Sequence, residues 1–178
     1  DLPPSIYIYC KALDQLESLQ VKDFTDILKV MGDRPVVIRL LDAPLHEFLP
    51  RYEQLVGEIA ELRANNGAPE ALGHRELILS LLERSREANP MLGHRGCRLG
   101  ITFPSIYRMQ VKAILTACCD LIDAGYVLQP EIMVPLTSHV NEVALLRQRL
   151  TDVADEVQAR RGIEVKYKFG TMIEVPRA

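Results

Sequence analysis

The sequence predicts an α/β fold built on a parallel sheet, with about four helix-connected strands. That number is half of an eight-stranded barrel, or a small open sheet. Three observations predict it. Helical and strand patterns alternate along the chain, as consecutive βα units require. The first strand candidate, Pro35-Val36-Val37-Ile38-Arg39-Leu40-Leu41-Asp42, is a short β-branched run of the type buried on both faces. The last, within Tyr167–Ala178, ends on one carboxylate, Glu174, where α/β barrels place metal and substrate ligands.

Residues 12–31 carry Leu13, Leu16, Leu19, Phe24, Ile27, Leu28 and Met31 at mixed three- and four-residue spacing, which predicts a helix. Gly32 and Pro35 break it and the first strand follows. Helical patterns over 51–64 and 69–88 flank the breaker Asn65-Asn66-Gly67-Ala68-Pro69. A short segment, Pro90 to Arg95, then leads through Gly93 and Gly96 into Leu99-Gly100-Ile101, and counting it gives four strands. Pro104 suits a first helical turn, and the helix it opens shows Tyr107, Val111, Ile114, Leu115, Cys118, Leu121 and Ile122 on one face before Gly125. A strand over Glu131–Leu136, a helix over 139–161 and the closing strand complete the series. The organisation expected is one incomplete domain over 1–178, with a lead-in helix in 1–20 and barrel strands and helices over 35–178. The helix that should cover the last strand is missing, so the chain reads as a segment.

A length of 178 residues suffices for a sizeable core, and 48% apolar with 25% charged residues is ordinary for a globular protein. A net charge of −3, with Lys and Arg scattered, argues against a nucleic-acid surface. No run of 18 apolar residues exists to span a membrane, and the start of the chain has no signal-peptide pattern. Four cysteines without a Cys-x-x-Cys pair predict neither a disulfide framework nor a structural zinc site. Cys118 and Cys119 lie in an apolar helical stretch, as packed small hydrophobes do. A reducing compartment is expected, the cytoplasm or an organelle such as a plastid.

Three polar positions interrupt apolar strands or their ends. Arg39 is costly within a buried strand unless it meets a charge. A salt bridge with Asp42 or Glu47 would satisfy it, and so would an anion, since the planar guanidinium fork fits phosphate and carboxylate. In Gly93-His94-Arg95-Gly96-Cys97-Arg98-Leu99-Gly100 the glycines leave backbone N–H groups open to a ligand around Arg95, although a tight turn explains them equally. His94 reads as structural, and Arg98 as support for the loop. Glu174 sits in apolar company as a metal ligand or base would, with an ion pair to Arg177 as the alternative. His46-Glu47 lacks a second histidine at metal spacing, and His74 and His139 read as solvated.

Four segments in order resemble the pyruvate, phosphate dikinase family: Arg39–Pro50, Asn89–Gly100, Pro130–Leu136 and Gly170–Ala178. Together they extend over about residues 20–178. Phosphoenolpyruvate synthase and the enzyme I of sugar phosphotransferase systems share the arginines and the glutamate, while Leu45-His46-Glu47-Phe48 favours the dikinase. Ala43 departs from the family's usual proline. The resemblance implies a partial TIM-type (β/α)8 barrel of about four βα units, part of a domain binding phosphoenolpyruvate or pyruvate. It implies phosphoryl exchange with a phosphohistidine on another domain of the parent chain, and a homodimeric parent. It implies that Arg39 and Arg95 grip the phosphoryl group, and that Glu174 ligates a Mg2+ ion bridging the substrate.

The family's further arginine, second magnesium ligand, acid cysteine, nucleotide-grasp and phosphohistidine domains have no counterpart in these 178 residues. No catalytic residue is therefore assigned, and the isolated segment is expected to be inactive and marginally stable or self-associating. Rival expectations are a phosphoenolpyruvate synthase-type enzyme, a non-catalytic binding remnant, and a lyase of the same enolate-forming superfamily.

Overall fold

A parallel strand pair needs a helix between its members, and this chain supplies one at each crossover it completes. The computed structural model describes residues 4–43, 52–65, 68–84 and 93–178. The order is α1 (Pro4–Met31), β1 (Pro35–Arg39), α2 (Tyr52–Ala64), α3 (Pro69–Arg84), α4 (Cys97–Thr102), α5 (Pro104–Asp123), β2 (Gln129–Val134), α6 (Val140–Arg161) and β3 (Lys168–Thr171). Two compact units result: Asp1–Asp42 with Gly96–Ala178, and Ala43–Arg95.

The larger unit is a mixed α/β structure whose three strands form one parallel sheet in the order β1-β2-β3. Arg39 pairs with Met133, and Met133 with Gly170, so all three strands end on the same edge. Helix α5 is the centre of the core. Its Tyr107, Ile114, Leu115, Ala117 and Cys118 are fully buried among Leu28 of α1, Ile132 and Val134 of β2, and Leu146, Leu150, Val153 and Val157 of α6. A helix covered by neighbours on several sides needs a wide apolar face, and α5 leaves the stripe of Ser105, Arg108, Lys112, Thr116 and Asp120 polar. The smaller unit packs Leu55 and Ile59 of α2 against Leu82 of α3. The exposed pair Arg63–Glu76 (2.7 Å) and the half-buried pair Arg75–Glu58 (2.6 Å) lie across the same two helices.

Several expectations change. Helix α1 starts at Pro4 rather than near residue 12, because proline is tolerated in a first turn. Its mixed spacing encodes two apolar faces: Phe24 and Leu28 meet the core, while Ile8, Leu16, Leu19, Ile27 and Val30 are exposed. Leu99-Gly100-Ile101 lies in α4, so the described residues hold three strands rather than four. Short apolar runs do not distinguish helix from strand. Strand β1 is not buried on both faces: Val36 and Ile38 pack inward, whereas Val37 is 53% exposed. Strand β2 stops at Val134 because Pro135 has no N–H to give the ladder and Leu136 turns away at φ 58°. Helix α3 is described to Arg84, and its expected extension to 88 lies outside the described residues, as do His46, Glu47 and the other motif residues in 44–50 and 89–92.

Helix α6 begins with a capping box. His139 Nδ1 accepts from the Asn141 N–H (3.1 Å), while Glu142 Oε2 accepts from the N–H groups of Ser138 (2.8 Å) and His139 (3.1 Å). Burial opposes charge on Glu142, but those N–H groups, the Ser138 hydroxyl and nearby Arg98 outweigh it and hold the carboxyl below its ordinary value. A depressed folded value makes this stabilisation complete above the unfolded value of 4.5 and lost as pH falls through the folded one. Glu142→Gln is expected to cost about 1 kcal/mol at neutral pH. Melts from pH 7 to 3 should show that difference closing on the acid side, and a pH-independent difference would contradict the assignment.

Candidate substrate and metal site

Arg39 is the last residue of β1 and sits at the sheet's carboxyl edge rather than inside it. Its guanidinium is 49% exposed and lies 3.7 Å from Asp42, whose side chain is only 3% exposed. The salt bridge expected between Arg39 and Asp42 is therefore present, joining a half-exposed guanidinium to a buried carboxylate. The backbone that follows is fixed from α5. Leu41 donates its N–H to Gln110 Oε1 (2.8 Å), and its carbonyl accepts from the Tyr107 hydroxyl (2.9 Å). Burial pushes the Tyr107 phenol far up, so it remains a donor. Sequence reading counted Tyr107 as core and missed Gln110. A glutamine on the buried side of an apolar helix was the available signal.

The central strand is followed by Pro135-Leu136-Thr137, and Glu174 closes over this point. Strand β3 stops at Thr171, three residues earlier than a strand ending at the glutamate. The chain remains attached through Met172 N–H to the Val134 carbonyl (3.0 Å) and through the Thr171 hydroxyl to the same carbonyl (3.1 Å). The Thr137 and Thr171 hydroxyls are hydrogen-bonded to each other. Half-buried Glu174 then accepts the Leu136 N–H on Oε1 (2.9 Å). It makes no ion pair with Arg177, and Oε2 takes no hydrogen bond among the described residues.

Leu136 is fully buried and is the one described non-glycine residue with positive φ. A bulky residue in that region is strained by about 1–3 kcal/mol and persists only where its surroundings enforce it. Gly96 provides part of that enforcement: at φ 56°, a Cβ there would stand 3.1 Å from Leu136 Cβ and 3.2 Å from the Pro135 carbonyl oxygen. Arg98 Nη2 reaches the Leu136 carbonyl at 3.5 Å, so it supports the turn after β2 rather than only its own loop. Buried Cys97 is pushed up to about 11 by burial and by Glu142, despite Arg98, and Cys118 to about 12 by burial. Neither is a thiolate at neutral pH.

The larger unit therefore places Arg39 at the end of β1 and Glu174 three residues beyond the end of β3, both at the carboxyl edge of one sheet. Arg95 belongs to the smaller unit, where it is half-buried and its N–H donates to the Gly93 carbonyl (2.9 Å). His94 and His74 are exposed, and His139 serves as the cap of α6. Among the described residues no three His, Cys, Asp or Glu side chains cluster for a metal. A single hard carboxylate with one oxygen anchored suits magnesium, which binds through one or two carboxylates plus substrate oxygens and keeps its waters. Among the described residues no helix is long and apolar enough to cross a membrane.

Residues 5–178 match the family described as PEP-utilising enzyme, PEP-binding domain. The chain is 45% identical over 169 residues to "Pyruvate, phosphate dikinase" of Entamoeba histolytica, covering 94% of this chain and 19% of that protein. It is 45% identical over 169 residues to "Pyruvate, phosphate dikinase, chloroplastic" of Mesembryanthemum crystallinum, covering 94% and 17%. It is 44% identical over 168 residues to "Pyruvate, phosphate dikinase" of Rickettsia bellii, covering 94% and 18%. The chain thus spans less than a fifth of the length of these curated relatives.

Proposed function

The chain belongs to the PEP-utilising enzyme, PEP-binding domain family, and from that premise we propose that it binds phosphoenolpyruvate and pyruvate as part of a pyruvate, phosphate dikinase. Arg39 and Arg95 hold the phosphoryl oxygens, and Glu174 holds a magnesium ion. The reaction is interconversion of ATP, pyruvate and phosphate with AMP, phosphoenolpyruvate and diphosphate, the phosphoryl group passing to and from a phosphohistidine on another domain.

The carrying observation is the shared edge of Arg39 and Glu174, with Glu174 Oε1 held by the Leu136 N–H and Oε2 making no hydrogen bond among the described residues. Magnesium bound there would neutralise charge on substrate oxygens. Arg39 presents a planar fork to the phosphoryl group, oriented by Asp42 and by the clip of Gln110 and Tyr107 on Leu41. Preorganised guanidinium groups are what transfer of a charged group requires, because positioning and electrostatics supply most of its catalysis.

A parallel sheet is ordinarily covered on both faces, and the face of β1 bearing Val37 and Arg39 is exposed. That supports the reading of these strands as part of a (β/α)8 barrel whose remaining strands would close over them. A homodimeric enzyme in a reducing compartment, cytoplasm or plastid, completes the reading. The 178-residue polypeptide by itself would bind ligand without turning it over, since it carries neither phosphohistidine domain nor acid cysteine.

Calorimetric titration of the chain with phosphoenolpyruvate and magnesium tests the site. Arg39→Ala and Arg95→Ala are each expected to weaken binding about 10- to 100-fold, the loss of a charge-assisted bidentate contact. Unchanged affinity in both variants would remove the phosphoryl clamp.

A further inference from the structure

We infer that Cys97 is a positioning residue for Glu174, acting through the two peptide planes on either side of Leu136; this rests on Glu174 being the magnesium carboxylate. Nothing in the chemistry above uses this buried thiol, yet it holds the strained turn at two points. Its own N–H donates to the Pro135 carbonyl at 3.1 Å, and its Sγ donates to the Leu136 carbonyl at 3.2 Å.

The first contact fixes the peptide joining Pro135 to Leu136. The N–H of that same planar peptide points the opposite way and donates to Glu174 Oε1 at 2.9 Å. The second contact fixes the next peptide. With both planes held, φ and ψ of Leu136 are set, and so is the direction of the N–H that orients the glutamate. Without the thiol the second plane is left to Arg98 Nη2 alone, at the long distance of 3.5 Å, and a leucine at φ 58° would relax toward negative φ and turn that N–H away. Gly96 at φ 56° brings Cys97 close enough, since a Cβ there would crowd Leu136 and Pro135. Partners that orient a metal's ligand commonly govern affinity about 10- to 100-fold without touching the metal.

The test is calorimetry on the 178-residue chain with two probes: oxalate with magnesium, which reads Glu174, and phosphoenolpyruvate without magnesium, which reads the arginines. Cys97→Ala is expected to weaken the first about tenfold and leave the second within about twofold. Cys97→Ser, which restores a donor, should recover the first. Equal magnesium–oxalate affinity in Cys97→Ala and the unaltered chain overturns the inference, as does an equal loss with both probes, which marks a merely structural residue. If Cys97→Ala does not fold, Cys97→Ser decides: retained affinity supports the inference, and a folded serine variant weakened about tenfold overturns it. Glu174→Ala separates this from the underlying reading. Magnesium dependence surviving that change means the assignment of Glu174 fails, whereas its loss in Glu174→Ala with none in Cys97→Ala fails only the inference.

Discussion

Gly100→Ala is expected to destabilise the chain by about 2 kcal/mol, against the sign that helix propensity gives. In the interior of a helix, alanine is favoured over glycine by about 1 kcal/mol. Here the added methyl would interpenetrate the ring of Tyr107, which is fully buried on the neighbouring helix and has no open side to move toward. Overpacking of a closed core costs about 1–3 kcal/mol, and this overlap belongs at the upper end. Displacing the ring also strains the hydroxyl contact to the Leu41 carbonyl, whose loss in the interior costs about 1–3 kcal/mol. Urea denaturation should show a lower midpoint with an unchanged slope. A midpoint equal to or above that of the unaltered chain would mean that α4 and α5 do not meet as described.

Glu174→Gln is expected to reduce magnesium-dependent phosphoenolpyruvate affinity about 100-fold, or about 2.7 kcal/mol. The amide keeps the shape of the carboxylate and can still accept the Leu136 N–H, so the substitution removes charge while sparing the fold. Magnesium requires a hard anionic oxygen, and the neutral amide is a poor substitute. Binding measured with magnesium should fall to the level measured without it. An unchanged ratio of the two affinities would show that the cation, if it binds, is held elsewhere.

Much of the fold was legible because the signals were local. The apolar face from Tyr107 to Ile122 and the pattern from Val140 to Val157 gave α5 and α6 nearly to the residue, since both helices pack on the sheet by that face. Strand β2 was legible as a short segment between the break at Gly125 and the helix from 139, although its end was misplaced by two residues. Other features depend on tertiary contact that no pattern records. Leu99-Gly100-Ile101 is helical because Cys97 is anchored to Pro135 and Gly100 lies under Tyr107, neither of which is close to it along the chain at strand spacing. Of the site, Arg39 and Glu174 were visible as charges out of place in apolar strands. The groups that orient them were not: the Leu136 amide, the Cys97 thiol and Gln110 carry no distinctive pattern, and their roles arise from backbone direction at the end of β2 and β1.

The central proposal is that Arg39, Arg95 and Glu174 each bind one cation-chelated three-carbon acid. A crystal structure of the chain grown with manganese and oxalate tests it most directly, because manganese takes magnesium's oxygen ligands and is located by its anomalous scattering. The expected result is a manganese peak on the Glu174 carboxylate, with oxalate chelating it and both guanidinium groups against the oxalate oxygens. A manganese ion bound away from Glu174, or Arg39 and Arg95 both directed away from the oxalate, would contradict the assignment.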